Sequence, residues 1–445
     1  MSDTPLIGPY NPDDVLIWTQ DGFRTASQFL SHVFFVAASL PDRPYVLNAL
    51  DSRYDFLVGF AAAILRRQVT LLPQSRGPQT MRSIALGYPD SYCLTDPGQA
   101  VEGIDCIQFN PRIDGPSRPV DVPRVSESQV VAVAFTSGST GRPTPNKKTW
   151  GALTAVAKAT GLRLGVKPGD RLAVVATVPH QHMFGLEASV MLPLMHGLIL
   201  HAGRPLFPGD IRQALSDVGA ERLLVTTPLH IRACLQEKIR LPPLRLILSA
   251  TAPLTKDIAR AGERQFQTGI HEIYGFAEAG SVAERRTVRT DYWQTLDGVN
   301  VEECDSERRV RAWYLPAPVA FPDCITIAKT GRFLVHGRTA DQVNVAGHRI
   351  SLAELNRKLL EIEGVEDGAF VLPDDRPDRV TRLMAFVVAP GKTEAEIQAV
   401  LRTQLDPVFL PRPLVLLPRL PRNETGKLPR EALLELVASI PDSYD

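Results

Sequence analysis

Short apolar runs alternate along this chain with longer segments in which apolar residues recur every three or four positions. The apolar runs that predict strands occupy residues 45–50, 69–73, 130–135, 171–177, 222–227, 244–250 and 271–276. The segments with helical spacing occupy residues 54–67, 150–162, 185–196, 208–218 and 255–267. Strands that alternate with helices are typical of parallel sheets covered by helices on both faces. The pattern therefore predicts an α/β protein built from layered, mostly parallel sheets flanked by helices.

The C-terminal part of the chain has a different pattern. An amphipathic segment with Ser351 as a candidate N-cap is followed by apolar runs and by two further helical segments, at 393–405 and 429–438. These elements suffice for a separate α+β unit. The polar, turn-prone stretch HGRTADQ precedes them. We therefore expect a large N-terminal domain over residues 1–338 and a small C-terminal domain over residues 339–445.

Composition narrows the class of protein. A chain of 445 residues, 44% of them hydrophobic, has room for roughly two to three domains with sizeable cores. The 49 basic and 49 acidic residues balance, which gives no sign of a nucleic-acid or basic membrane surface. No apolar run reaches the length of a membrane span, and the acidic N-terminus is unlike a signal peptide. The five cysteines are scattered without a CxxC pair, which fits a reducing compartment. We expect a cytoplasmic protein with no membrane span and no nucleic-acid partner.

The stretch FTSGSTGRPTPNKK, residues 135–148, follows one of the predicted strands. Its small hydroxyl residues and glycines allow several backbone N–H groups to converge on an anion. The candidate phosphate ligands are Thr136, Ser137, Gly138, Ser139, Thr140 and Gly141. The spacing does not match the P-loop pattern G-x-x-x-x-G-K-[ST]. From these residues alone, a phosphate-binding loop and a surface loop both remain open.

Four further segments change the balance between those two interpretations. They are LSATAPL (248–254), IYGFAEAG (273–280), DCITIAKTGRFLVHGR (323–338) and PRNETGKLPR (421–430). In order and rough spacing, the five segments resemble the motifs of the adenylate-forming superfamily. This superfamily comprises acyl- and aryl-CoA ligases, nonribosomal-peptide adenylation domains and luciferases. The resemblance covers the chain from about residue 130 to the C-terminus.

The resemblance implies a reaction and its reactive groups. A carboxylic acid is activated with ATP and Mg²⁺ as an acyl-AMP, and the acyl group then passes to a thiol. Lys427 would bridge the acid and the α-phosphate, and Glu278 would bind Mg²⁺. The C-terminal domain would be a mobile lid that turns about Ala340 or Asp341. The alternative for Lys427 and Glu278 is that both are solvated surface residues.

The resemblance also implies binding residues for the nucleotide and the acid. The adenine and ribose candidates are Ala250, Thr251, Ala252, Pro253, Tyr274, Gly275, Asp323 and Arg338. The acid-pocket candidates are His182, Phe184 and Gly185. Asp323 has acceptors for the ribose hydroxyls, or is a turn residue after Pro322. Tyr274 would stack on adenine or pack as a strand aromatic. His182 would lie beside the acyl group or make structural hydrogen bonds.

Two departures from the family pattern bear on the rate. Ala277 stands where the family has a threonine that contacts the α-phosphate, so one hydrogen bond to a charged group, worth about 1.5–3 kcal/mol, is lost. Ser281 or a loop hydroxyl compensates, or the enzyme is slow. The family also has a lysine directly after the loop proline. Here the lysines after Pro143 arrive late, at Lys147 and Lys148, and would reach the phosphates, an acidic carrier-protein surface or only solvent.

Three features resemble one subgroup of the superfamily. The segment GRPTPNKKTW, the short N-terminal region and ERRTVRTDYW (284–293) are similar to acid:acyl-carrier-protein ligases of aryl polyene and xanthomonadin pigment synthesis. That resemblance implies a hydroxylated benzoic or cinnamic acid as substrate. The acceptor would be the phosphopantetheine thiol of an acyl carrier protein, with coenzyme A as the alternative. A degenerate nucleotide-binding scaffold is the alternative of another class, suggested by Ala277 and the late lysines.

Overall fold

The computed structural model describes residues 2–73, 76–109, 121–137, 143–219, 221–304, 307–328, 331–338, 342–345, 348–373, 382–423 and 426–440. In these ranges the strands are β1 (Asp3–Pro5), β2 (Val15–Thr19), β3 (Gly22–Thr25), β4 (Tyr45–Asn48), β5 (Val69–Leu72), β6 (Ser91–Thr95), β7 (Cys106–Gln108), β8 (Arg124–Ser126), β9 (Val130–Ser137), β10 (Pro143–Thr149), β11 (Leu172–Ala176), β12 (Ile199–His201), β13 (Glu221–Thr226), β14 (Leu246–Ser249), β15 (Ile270–Phe276), β16 (Gly280–Arg285), β17 (Trp293–Thr295), β18 (Val299–Cys304), β19 (Glu307–Ala312), β20 (Val319–Ala320), β21 (Asp323–Ala328), β22 (Arg332–Arg338), β23 (Gln342–Val345), β24 (His348–Ser351), β25 (Asp367–Val371), β26 (Met384–Val388) and β27 (Leu414–Leu416).

The helices lie between these strands, and three of them, at Ala26–Ser39, Pro78–Gly87 and Pro228–Gln236, are additional to those that the sequence predicts. The helices are α1 (Ala26–Ser39), α2 (Arg53–Leu65), α3 (Pro78–Gly87), α4 (Trp150–Arg163), α5 (Met183–Leu186), α6 (Leu192–His196), α7 (Pro208–Asp217), α8 (Pro228–Gln236), α9 (Lys256–Phe266), α10 (Leu352–Leu360), α11 (Glu394–Gln404) and α12 (Arg430–Ala438). A π-helical segment, Glu187–Met191, joins α5 to α6. No helix in the described ranges combines the length and the apolar character that a membrane crossing requires.

The first sheet has the strand order β10-β9-β5-β4-β6-β7. Its pairs are parallel except for β10, which runs antiparallel to β9. Alternate side chains face opposite layers, because the side-chain period of a strand is two. Val46 and Leu72 pack with α1 and α2 in one core, whereas Leu47 and Leu71 pack with α3 in another. Helices therefore cover both faces of this sheet.

The second sheet has the order β21-β22-β17-β16-β15-β14-β13-β11-β12-β2-β3. The pairs from β15 through β2 are parallel, and those towards both edges are antiparallel. Val174 and Val225 face the core that contains Leu192 of α6. Val175 and Leu224 face the core filled by α7, α8 and α9. This arrangement confirms the predicted α/β fold.

The C-terminal part builds its own core. The sheet β25-β26-β27 buries alternate residues of β26 against α10 and α11 on one face and against α12 on the other. Ser351 caps α10 as predicted, because its Oγ accepts the N–H of Glu354 at 3.1 Å. A large N-terminal sheet domain and a small C-terminal domain are thus both present. The boundary after residue 338 stays a prediction, because residues 339–341 lie outside the described ranges.

Candidate active site

Several predicted site residues follow the carboxyl ends of neighbouring parallel strands. The strands β11, β13, β14 and β15 pair in that order and point the same way. The segment of His182 follows β11, the loop 250–253 follows β14, and the turn with Glu278 follows β15. Loops at this edge of an open parallel sheet are the usual place for a ligand. The fold therefore brings together three segments that are far apart in sequence.

The ribose candidates converge at the antiparallel end of the second sheet. Asp323 opens β21 and lies directly opposite Arg338 in the ladder with β22. The hydroxyl of Tyr274 on β15 donates to Oδ2 of Asp323 at 2.5 Å. The Tyr274 ring is nearly parallel to that of Phe321, with centroids 6.1 Å apart. Tyr274 thus packs as a strand aromatic and orients the Asp323 carboxylate, while its contact with adenine stays a prediction.

The adenine-loop candidates have an unusual backbone. Ala250 is buried, and Thr251 has φ of +80°, a conformation that β-branched residues rarely adopt. The end of the loop is anchored, because the N–H of Leu254 donates to Oε1 of Glu272 at 3.0 Å. Glu272 is itself buried and accepts Nε–H of Arg285 at 2.8 Å. Backbone strain of this kind persists where surrounding contacts fix it, and it is concentrated at functional sites.

The turn with Glu278 joins β15 to β16 in a tight hairpin. The Glu278 side chain is exposed, while its carbonyl oxygen accepts Nζ–H of Lys148 at 3.1 Å. On the other side of the turn, Glu187 accepts the N–H of Ser281 at 3.0 Å and its hydroxyl at 2.6 Å. The Ser281 hydroxyl therefore donates to Glu187 rather than replacing the hydrogen bond that is lost at Ala277. Lys148 is buried, so the solvent alternative is wrong for it, whereas Lys147 is exposed. A contact of either lysine with the phosphates or with a carrier protein stays a prediction.

A single exposed carboxylate suits Mg²⁺. Within the described ranges, no three His, Cys, Asp or Glu side chains gather around a common metal position. Mg²⁺ usually binds one or two protein carboxylates and takes its other ligands from water and phosphate oxygens. Glu278 fits this donor set.

The acid-pocket candidates begin a short helix. His182 is the N-cap residue of α5, and Phe184 packs on the core cluster that contains Ala250. One acid-pocket candidate and one adenine-loop candidate therefore belong to the same hydrophobic core. A Cβ atom at Gly185 would lie 1.9 Å from the carbonyl oxygen of Pro179, so glycine is required there by packing. The role of His182 beside the acid stays a prediction.

A buried arginine beneath the carboxyl edge of the parallel strands was not identified from the sequence. Arg53 opens α2 and is 1% exposed. Its guanidinium donates to the carbonyl oxygens of Ala176 (3.3 Å), Val178 (3.2 Å), His201 (2.6 Å) and Gly203 (2.8 Å). These acceptors lie at or after the ends of β11 and β12. An arginine at the start of a mostly apolar helix was the available signal.

Arg53 influences the neighbouring histidine. Nε2 of His180 lies 3.1 Å from the carbonyl oxygen of Leu50. Burial, and then the positive charge of Arg53, hold the pKa of His180 well below its usual range. His180 is therefore neutral at neutral pH, and Arg53 is the fixed positive charge at this position.

The loop with Lys427 is seated against the N-terminal domain. Gly426 is buried with φ of +77°, and its Cβ position is 3.7 Å from Cβ of Leu229 in the first turn of α8. The backbone N–H of Lys427 donates to Oδ1 of Asn423 at 2.9 Å. The loop thus lies just after β13, at the same edge as the other candidates, and the Lys427 side chain is exposed.

Some predicted residues cannot be placed. Thr136 and Ser137 end β9, paired in the ladder with Thr144 and Pro143 of β10. Gly138, Ser139, Thr140 and Gly141 lie outside the described ranges, as do the hinge candidates Ala340 and Asp341. The backbone position of Arg338 is described but its side chain is not.

Comparison with known families identifies the chain. The family model "AMP-binding enzyme" matches residues 67–307, and "AMP-binding enzyme C-terminal domain" matches residues 354–427. The chain belongs to the AMP-binding enzyme family. It is therefore an AMP-forming acid–thiol ligase, which activates a carboxylic acid with ATP and Mg²⁺. The general reaction expected from the sequence is confirmed.

Individual relatives agree with this assignment. The chain is 29% identical over 275 residues to 4-coumarate–CoA ligase of Rhodobacter capsulatus, covering 62% of this chain and 67% of the relative. It is 30% identical over 299 residues to the enzyme of the same name from Cereibacter sphaeroides, covering 66% and 69%. The structure of o-succinylbenzoate coenzyme A synthetase from Bacillus subtilis with ATP and magnesium superposes with a TM-score of 0.80 at 17% identity, covering 95% and 96%. This last similarity supports the fold.

Proposed function

We propose that this AMP-binding enzyme activates a hydroxylated aromatic acid and transfers the acyl group to the phosphopantetheine thiol of an acyl carrier protein. The observation that carries the adenylation step is that the Tyr274 hydroxyl donates to Asp323, that Glu278 follows the same strand as Tyr274, and that the Lys427 loop packs on Leu229 just after β13. The aromatic substrate is supported by similarity to two 4-coumarate–CoA ligases. The carrier-protein acceptor rests on the subgroup resemblance of the segment GRPTPNKKTW.

In the first half-reaction, a carboxylate oxygen of the acid attacks the α-phosphorus of ATP. The bond from that phosphorus to the β-phosphate oxygen breaks, and pyrophosphate leaves. Lys427 bridges the acid and the α-phosphate, and residues 136–141 hold the departing phosphates. Asp323, oriented by Tyr274, accepts the ribose hydroxyls. Glu278 would hold Mg²⁺, which would supply positive charge beside the phosphates.

In the second half-reaction, the thiol sulfur attacks the acyl carbonyl carbon. The thioester forms, AMP leaves, and the thiol proton is released to solvent. The C-terminal domain turns about residues 340–341 between the two steps, so Lys427 acts in the first step only. His182, Phe184 and Gly185 line the acid pocket, and Ala250–Pro253 border the adenine.

An ATP–pyrophosphate exchange assay with a panel of benzoic, cinnamic and aliphatic acids tests the first half-reaction. Exchange is expected with hydroxylated aromatic acids and to be at least tenfold slower with aliphatic acids of similar size, because one missing apolar contact costs about 1–3 kcal/mol. Preference for an aliphatic acid would contradict the substrate class. Absence of exchange with every acid would favour a degenerate scaffold.

The acceptor is tested separately. Coenzyme A is the second candidate, because both curated relatives are named CoA ligases. Thioester formation on a phosphopantetheinylated carrier protein is compared with that on coenzyme A by mass spectrometry, using one pool of enzyme. Faster transfer to the carrier protein is expected. Faster transfer to coenzyme A would assign the enzyme to the CoA ligases.

A further inference from the structure

Two buried charged side chains hold opposite sides of the turn that carries Glu278. Lys148 reaches from β10 and donates to the carbonyl oxygen of Glu278 at 3.1 Å. Glu187 reaches from the π-helical segment and accepts both the N–H and the hydroxyl of Ser281. Each charged side chain is 5% exposed. Elements distant in sequence therefore hold the turn at its middle residue, Glu278, and just after it, at Ser281.

The turn leaves little space for Glu187 to move. Gly280 has φ of +79°, and a Cβ atom there would lie 2.6 Å from Oε1 of Glu187. The backbone of the turn is thus pressed against the carboxylate that holds it. The Glu278 side chain, by contrast, is exposed at the edge of the site. An exposed ligand on a fixed backbone is an arrangement suited to binding a cation with defined geometry.

The two charges stabilise each other inside the protein. Burial lowers the pKa of Lys148, and the negative charges of Glu187 and Glu278 oppose that shift. Burial raises the pKa of Glu187, and the Ser281 hydroxyl and the charge of Lys148 oppose that shift. Loss of one partner leaves the other as an uncompensated buried charge. Lys148 and Glu187 therefore behave as one unit.

We propose that Lys148 and Glu187 are positioning residues that hold Glu278 where it binds Mg²⁺. This proposal rests on the proposed function, which makes Glu278 the Mg²⁺ ligand. It assigns Lys148 to the turn rather than to ATP phosphates or to a carrier protein. Lys147, its exposed neighbour on β10, has no part in it.

The first test compares Lys148→Met with Lys147→Met, which removes an adjacent positive charge from the same strand. The Mg²⁺ concentration for half-maximal ATP–pyrophosphate exchange is measured together with the melting temperature. Lys148→Met is expected to raise that concentration about tenfold, and Lys147→Met to leave it unchanged. A lower melting temperature with unaltered Mg²⁺ dependence would show a structural role only and would overturn the proposal.

The second test changes Glu187 alone and then together with Lys148. Glu187→Gln is expected to raise the Mg²⁺ requirement by a similar factor. The double variant, Lys148→Met with Glu187→Gln, removes both buried charges, so its melting temperature is expected to recover towards wild type. Its Mg²⁺ requirement is expected to remain about tenfold raised, because the turn is still unheld. A hundredfold increase would mean that the two residues act independently and would contradict the pairing.

Two further measurements separate a failure of the positioning role from a failure of the proposed function. Ser281→Ala preserves both charges and the fold while removing one contact to Glu187, and a rise of about threefold in the Mg²⁺ requirement is expected. An unchanged requirement in this variant counts against the proposal. Calorimetric titration with MgATP needs no acid substrate. Wild type that binds MgATP but exchanges with no acid would refute the proposed function, whereas equal MgATP affinity in Lys148→Met would refute the positioning role alone.

Discussion

At the scale of single residues, Lys427 is expected to separate the two half-reactions. Lys427→Ala removes a cation from the position where negative charge develops in the first step. The loss of one such donor typically costs 10²–10³ in rate, so adenylation is expected to fall about 100- to 1,000-fold. Thiol transfer from a supplied acyl-adenylate is expected to stay near wild type. Both rates are measured on the same preparation.

Lys167→Ala is the matched control, because Lys167 is an exposed lysine of the N-terminal domain. It should alter neither half-reaction. An equal fall of both half-reactions in Lys427→Ala would mean that Lys427 acts through the structure of its loop.

Residues inside the family motifs could be predicted from the sequence. The residues elsewhere in the chain that fix those motifs through hydrogen bonds could not. Asp323 and Tyr274 were chosen from sequence segments, and their hydrogen bond joins two of the predicted ligands. Lys148 was expected to reach phosphate, a carrier protein or solvent. Its actual partner is a main-chain carbonyl 130 residues away, which no local pattern encodes. Glu187 was overlooked, although a carboxylate inside an apolar run needs a buried partner.

At the scale of elements, Arg53 connects α2 to the second sheet. Its four acceptors are carbonyl groups in or after β11 and β12, so one side chain ties a helix of the first layer to two strands of the next. Arg53→Met deletes these charged hydrogen bonds, each worth about 1.5–3 kcal/mol, and leaves several carbonyls buried. The free energy of unfolding is expected to fall by at least about 3 kcal/mol in urea denaturation.

Arg66→Met serves as the control at the other end of the same helix. Arg66 makes an exposed ion pair with Asp42 at 3.5 Å, and such pairs contribute about 0–1 kcal/mol. If the free energy of unfolding falls no further in Arg53→Met than in Arg66→Met, Arg53 does not stabilise the contact between the two layers.

At this scale, strands and helices could be predicted where a single hydrophobic period dominates the segment. The parallel strands β11, β13, β14 and β15 are apolar runs between helices, and each was expected within a few residues of its bounds. The antiparallel strands from β16 to β22, which belong to the second sheet and to a separate sheet β18-β19-β20, were not predicted, apart from the motif at 323–338. β19, for example, reads ERRVRA, with charged residues on its exposed side. Its pairing is set by partners along the sheet rather than by its own hydrophobic pattern.

At the scale of the whole molecule, two domains could be predicted from the change of pattern after residue 338. How the Lys427 loop is held against the N-terminal domain could not be predicted, because its contacts join residues that are distant in sequence. Arg422 pairs with Asp367 through two hydrogen bonds of 2.6 and 2.7 Å and donates to the carbonyl oxygen of Gly426 at 2.8 Å. Burial lowers the pKa of Arg232 on α8, and the charge of Asp367 opposes that shift. Asp367 thus pairs with Arg422 of its own domain, and its charge also acts on Arg232 of the N-terminal domain.

This arrangement makes Asp367 a test of how the domains cooperate. Asp367→Asn removes the negative charge that acts on both Arg422 and Arg232 and leaves their mutual repulsion uncompensated, so the docked position of the Lys427 loop is expected to be less populated. A loss of about 1.5–3 kcal/mol, typical of a charged hydrogen bond, corresponds to a fall of roughly 10- to 150-fold in adenylation. Thiol transfer is expected to change little, because the proposed mechanism turns the C-terminal domain away before that step. Glu363→Gln, at an exposed carboxylate of the same domain, is the control for the loss of charge alone. Adenylation that is unaffected by Asp367→Asn, or transfer that falls with it, would mean that Lys427 reaches its site without this contact.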